Sequence, residues 1–157
     1  MANYAVSNIL GGTQQAISSS FKTLVSVTSS SATQARRGQV YDVIVGTNGT
    51  PADNYMTFDI SRQTATGTST SITPTLLNPA DAAMLGVATA NSTAEPTITA
   101  NSSLLYFGLN QRATQRWIAA PGSELVYPAT TANGFALRAL SGSYTGTATG
   151  EMLVTEL

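Results

Sequence analysis

The groups in this chain that could do chemistry are few: eight carboxylates, seven Lys or Arg, six Tyr, and a crowd of hydroxyls, 17 Ser and 24 Thr. There is no His and no Cys. That removes the usual general base near neutral pH, the Ser-His-Asp triad, the thiolate nucleophile, disulfides, iron–sulfur centres and the ordinary zinc site. Ser19-Ser20-Phe21-Lys22 has the Ser-x-x-Lys spacing in which a lysine activates a serine, and Lys22 is the only lysine. Serine is so frequent that such a match arises by accident, and no Ser-Asp-Asn or Lys-Thr-Gly partner follows. Asp42, Asp53 and Asp59 are the carboxylates that could converge for Ca²⁺ binding, and Asp53 with Asp59 could form a glycosidase pair. Their spacing fits no calcium loop. Ordinary surface and turn aspartates, with Asp53 capping a loop, are the simpler reading.

Two other groupings suggest binding rather than catalysis. Arg36-Arg37, Arg112, Arg116 and Trp117 combine cations with an aromatic ring, the mixture that holds single-stranded nucleic acid. A net charge of −1 opposes that. Arginine forks bonded to carboxylates or carbonyls across a subunit boundary fit better. Tyr55, Tyr106 and Tyr127 could form a platform for a sugar. Three Asn-x-Ser/Thr triplets begin at Asn48, Asn91 and Asn101, a number that chance nearly supplies in so Ser/Thr-rich a chain, so they carry no weight.

The 157 residues suffice for one domain with a real core. Only 10% are charged, against about 25% in a typical soluble domain. The polar surface must therefore be built from Ser, Thr, Asn and Gln. A surface so poor in ions loses little desolvation energy when buried against neighbours, which suits a static assembly component. No run approaches the ~20 apolar residues that span a bilayer. The start, Met1-Ala2-Asn3-Tyr4-Ala5-Val6, lacks the basic region of a signal peptide. The expectation is a soluble protein made in a cytosol, with no cofactor, no small-molecule substrate, and no nucleic-acid or membrane partner.

The elements that would carry these residues are strands. Phe21–Ser29 alternates, Gln39–Gly46 is rich in β-branched residues, and Met56, Phe58 and Ile60 share a face opposite Thr57, Asp59 and Ser61. Thr64–Thr73 suits an exposed strand or hairpin. Pro96–Ala100, Leu104–Gln111, Arg116–Ala119, Glu124–Pro128, Phe135–Leu140 and Gly146–Glu156 continue the pattern. Ala120-Pro121-Gly122-Ser123 predicts a type II turn, and Asn133-Gly134 a hairpin turn. Asn78-Pro79-Ala80-Asp81 has the cap, proline and acid of a helix start, so one short helical insertion is expected there, ending at Gly86. Residues 1–20 are small and polar and read as an extended arm. The fold expected is all-β: a single jelly-roll or β-sandwich of about eight strands over residues 21–157, preceded by that arm.

Three stretches bear on a family. Arg37–Asn54 (RGQVYDVIVGTNGTPADN), Asn110–Leu125 (NQRATQRWIAAPGSEL) and Asn133–Ala139 (NGFALRA) resemble small structural proteins of tailed bacteriophages. The similarity covers about residues 36–157, and the proteins it points to are the jelly-roll decoration, or cement, proteins of the capsid. The resemblance implies a non-enzymatic virion protein. Such a homotrimer sits on the outer capsid surface, binds the major capsid protein at local threefold positions and opposes the pressure of packaged DNA. The arm would then contact the capsid through Asn3, Tyr4, Val6, Ile9, Leu10 and Gln14. Arg112, Arg116 and Trp117 are the expected trimer contacts. The alternatives are a fibre or spike module binding host glycans or a receptor, a carbohydrate-active enzyme using Asp53 and Asp59, and a small shell protein. The scarcity of basic residues in the arm disfavours a genome-binding shell.

Overall fold

The structure, a computed structural model, describes residues 1–29, 34–144 and 146–157. Among these residues twelve strands and one short 3₁₀ turn are present. The strands are β1 (Asn3–Ser7), β2 (Lys22–Thr28), β3 (Gly38–Asn48), β4 (Tyr55–Ala65), β5 (Thr68–Ile72), β6 (Thr75–Leu76), β7 (Val87–Ala94), β8 (Thr97–Asn110), β9 (Gln115–Ile118), β10 (Leu125–Tyr127), β11 (Gly134–Leu140) and β12 (Thr147–Glu156). They form two antiparallel sheets. The first runs β10-β3-β12-β1-β6, with β9 also paired to β3; the second runs β5-β7-β2-β11-β4-β8. The protein is a β-sandwich.

Alternation builds each layer. Val40, Val43 and Val45 of β3 with Met152 and Val154 of β12 meet Leu24, Val25 and Val27 of β2, Phe58 and Ile60 of β4, and Phe135 and Leu137 of β11 in one core. Gly150 on β12 is small because the other layer needs its space: a Cβ there would lie 2.7 Å from Leu137 Cδ2. Tyr127 of the first sheet meets Phe135 of the second edge-to-face, centroids 5.7 Å apart. Two buried amides close the polar gaps. Asn8 Nδ2 donates to the Ala148 carbonyl at 2.8 Å and to Asn91 Oδ1 at 3.3 Å, while the Gly150 amide donates to Asn8 Oδ1 at 3.0 Å. Gln111 accepts from the Ala52 amide and donates toward the Tyr55 carbonyl and Ser141.

The all-β expectation holds, and several of its details change. The first residues are not a free arm: β1 lies between β12 and β6, with Tyr4 and Val6 buried. The helical insertion at Asn78 is a single turn, in which the Asn78 side chain accepts from the Ala80 amide. Beyond it, Tyr4 Oη donates to the Ala82 carbonyl, and Glu156 accepts from the Leu85 and Gly86 amides. These bonds hold the backbone out of helix where a helix would have continued. Asn133-Gly134 makes no hairpin, because β10 belongs to the first sheet and β11 to the second. The turn there bonds Asn133 N to the Thr130 carbonyl, with Ala132 at φ 63°. Pro96–Ala100 and Leu104–Gln111 merge into one irregular strand, β8. The turn at Ala120–Ser123 forms as expected, with Gly122 at φ 85° and a 2.8 Å bond from Ser123 N to the Ala120 carbonyl.

Deleting residues 1–7 removes two fully buried side chains and is expected to cost at least about 3 kcal/mol of stability; a urea midpoint equal to that of the full chain would show β1 to be dispensable. Tyr127 supplies a second expectation. Its hydroxyl is buried without a partner among the described residues, and burial, then the charges of Glu156 and Tyr4, raise its pKa. The neutral phenol therefore contributes stability that is complete below about pH 10, the unfolded value, and is lost as pH climbs above it. Tyr127→Phe should lie within about 1 kcal/mol of the parent at pH 7 and lose less stability above pH 10 in denaturation series.

Candidate functional site

The carboxylates expected to converge are kept apart. Asp42 lies on β3 in the first sheet and Asp59 on β4 in the second. Asp42 receives Arg116 in a forked pair, Nε to Oδ1 at 3.0 Å and Nη2 to Oδ2 at 2.5 Å. That hydrogen bond raises the Arg116 pKa above its already high value. Asp59 is buried among Arg138, Ser61 and Ser103, all of which donate to it. The register explains the pair: Asp59 lies directly opposite Arg138 on β11. Phe21 covers that guanidinium, its ring centroid 4.3 Å from Arg138 Cζ. Thr57, Asp59 and Ser61, on the face opposite Met56, Phe58 and Ile60, are buried as well. Asp53 is exposed, 3.6 Å from Arg112. Neither a calcium cluster nor an Asp53–Asp59 acid–base pair is assembled. Lys22 pairs with Glu95 at 3.9 Å, and Glu95 also accepts from the amide and hydroxyl of Thr23.

The residues expected at interfaces divide into buried and exposed. Tyr4 and Val6 face the core, so neither is available to a partner in the folded chain. Asn3 accepts from Thr155, and Gln14 accepts from Asn48 and Thr147. Ile9 and Leu10, in the 3₁₀ turn after β1, stand out at 65% and 44% exposure. Arg112 bonds its own chain at the Pro51 carbonyl, 3.3 Å. Trp117 sits opposite Val43 and packs half-buried on the core. The three-tyrosine platform also divides: Tyr127 is inside, while Tyr55 and Tyr106 lie on the outer face of the second sheet at 54% and 63% exposure.

Concavities are shallow. A groove of about 330 Å³ on the first sheet is lined by Gln39, Tyr41, Ile118, Pro121, Glu124 and Thr155, among others. Burial and the neighbouring Asp42 charge raise the Tyr41 pKa. A second, of about 290 Å³, lies where Arg36 and Leu157 meet Tyr4, Ala82 and Glu156. Among the described residues no group of three or more His, Cys, Asp or Glu is placed to hold a metal ion. No helix among them is long and apolar enough to cross a membrane. Comparison of the chain with known protein families, curated proteins and solved structures found no match.

Sequence reasoning missed Asn8 and Gln111, the two amides that pin loops to strands. In a chain this rich in Asn and Gln nothing in their local pattern marks them. The ion pairs give a graded expectation. Arg138→Ala leaves Asp59 buried and unpaired and should cost about 3–5 kcal/mol. Arg112→Ala, at an exposed pair, should cost under about 1 kcal/mol. Chemical denaturation of both variants checks the ranking, and equal losses would contradict the burial difference.

Proposed function

We propose that this protein is a non-enzymatic structural component of a phage virion: a jelly-roll decoration protein that binds the major capsid protein as a homotrimer on the outer capsid surface and stabilises the head. The observation that carries this reading is the internal engagement of its charges. Asp42 with Arg116, Asp59 with Arg138, Glu95 with Lys22, and Glu156 with two backbone amides all bridge the chain to itself. What faces outward is dominated by hydroxyls and scattered apolar side chains, a surface that docks with little desolvation cost. The resemblance read from the Arg37–Asn54 and Asn110–Leu125 stretches, which no comparison returned, agrees with this reading. So does the pairing of β1 with β12, since a shell component under pressure gains from having its first strand hydrogen-bonded into a sheet.

The capsid contact narrows from the six residues expected at first to Ile9 and Leu10, the exposed apolar pair of that segment. A glycan-binding fibre module is the second reading, favoured by the exposure of Tyr55 and Tyr106 on one sheet face. In co-sedimentation with heads lacking the protein, the parent should bind and the double variant Ile9→Lys, Leu10→Lys should bind at least tenfold more weakly with an unchanged melting temperature. Undiminished binding by the double variant would remove Ile9 and Leu10 from the contact. Failure of the parent to bind heads, with retention on immobilised glycans that Tyr55→Ala, Tyr106→Ala abolishes, would favour the second reading.

A further inference from the structure

Most sheet edges in this molecule are blunted by brevity. β6 has two residues, β10 three, β9 four and β5 five. The edge of the second sheet formed by β8 is different, with 14 residues and neither a charge nor a proline, the usual devices against edge pairing. Its first half is irregular: the register against β4 shifts repeatedly around Ser61 and Gln63, and Asn101 sits at φ 56°. Its second half, from Leu105 to Asn110, is in uninterrupted register with Tyr55–Ile60.

The backbone polarity of that half follows from one bond. The Gln111 amide donates to the Asn54 carbonyl at 2.8 Å. Counting back by twos, Leu109, Phe107 and Leu105 direct their amides at β4, and Asn110, Gly108 and Tyr106 direct theirs away from the sheet. The side chains add an independent observation. Leu105, Phe107 and Leu109 pack against the core yet stay half-exposed, so the sandwich is open along this edge. On the outer face Tyr106 is largely exposed, and a Cβ built on Gly108 would meet nothing within 4 Å.

We propose that β8 pairs antiparallel with β8 of a second copy of this chain, about a twofold axis at Phe107. In that register the outward amides meet as hydrogen-bonded pairs, Tyr106 with Gly108 and Gly108 with Tyr106. Phe107 faces Phe107, and Leu105 faces Leu109, in the closer non-bonded pairs. Each Tyr106 ring has the open space beside the opposing Gly108 to lie over, the arrangement in which an aromatic ring shields a strand glycine. An uncharged strand facing itself brings no like charges together, so self-pairing meets no electrostatic penalty along the strand. The contact does not rest on a capsid role. It uses none of Arg112, Arg116 and Trp117, so a threefold contact there would be joined by twofold links into an even-numbered assembly.

Light scattering after size exclusion tests it on the full chain. The parent should show an even multiple of 16.2 kDa. Gly108→Pro removes an amide that points away from β4 and takes no part in that ladder, and Tyr106→Lys places like charges across the axis. Each should at least halve the mass while the melting curve still reports a folded chain. Hydrogen exchange gives the second readout: the amides of Tyr106 and Gly108 should be protected in the parent, and that of Tyr106 should exchange at least tenfold faster in the proline variant. A monomeric parent whose Tyr106 and Gly108 amides exchange freely overturns the proposal, as it would if a different protein's strand were the natural occupant. A three-copy species unchanged by both substitutions overturns it while leaving the decoration reading intact. Loss of head binding with β8 pairing preserved would defeat the decoration reading alone.

Discussion

Within the shared core, one polar side chain ties the two layers together. Asn8 reaches β12 through the Ala148 carbonyl and the Gly150 amide and β7 through Asn91, so a single amide ties the first sheet to the second. Asn91 holds a left-handed backbone conformation, φ 54°, and returns a 3.0 Å bond to the Asn8 carbonyl. An amide can satisfy donors and acceptors together without carrying charge into the core, which an ion could not do without a partner. Much else hangs on this point: it follows directly on β1, fixes where that strand leaves the sheet, and sets Ile9 and Leu10 outside.

The same economy recurs across the molecule. With so few ions, the chain uses them where a strand register supplies a partner directly, as Asp59 opposite Arg138. Elsewhere it relies on amides and hydroxyls such as Gln111 with Ser141. The buried ion pair and the covering Phe21 turn what would be a solvent face into an enclosed one. That face offers no free carboxylate to a substrate, so Asp59 is lost to the hydrolase reading, as Tyr4, Val6 and Tyr127 are lost to the binding ones.

Legibility followed physical locality. Strands β2, β3, β4, β9, β11 and β12 could be read because period-two alternation and β-branched residues are local properties, and the Pro-Gly turn because its geometry is set by two residues. Strand β1 was hidden: Asn3-Tyr4-Ala5-Val6-Ser7 is short, and the partner that makes it a strand lies at the other end of the chain. The helix at Asn78 had good caps but no apolar face to bury, and capture by Tyr4 and Glu156 decided otherwise. Of the residues named for contacts, Ile9 and Leu10 were found exposed. Tyr4, Val6 and Tyr127 were not, because sidedness in a sheet depends on what stacks above it.

The pairing of β1 with β12 has a consequence for how the molecule is made. β1 leaves the ribosome long before β12, its main neighbour, has been synthesised, and most other connections cross from one sheet to the other. Such long-range pairing is slow to form and leaves strands unsatisfied in the meantime. The first sheet therefore completes only once β12 has been made, and until then the chain must stay soluble by composition rather than by structure. The hydroxyl-rich, ion-poor sequence, with turn residues breaking every apolar run, is what the nascent polypeptide has to rely on during that wait.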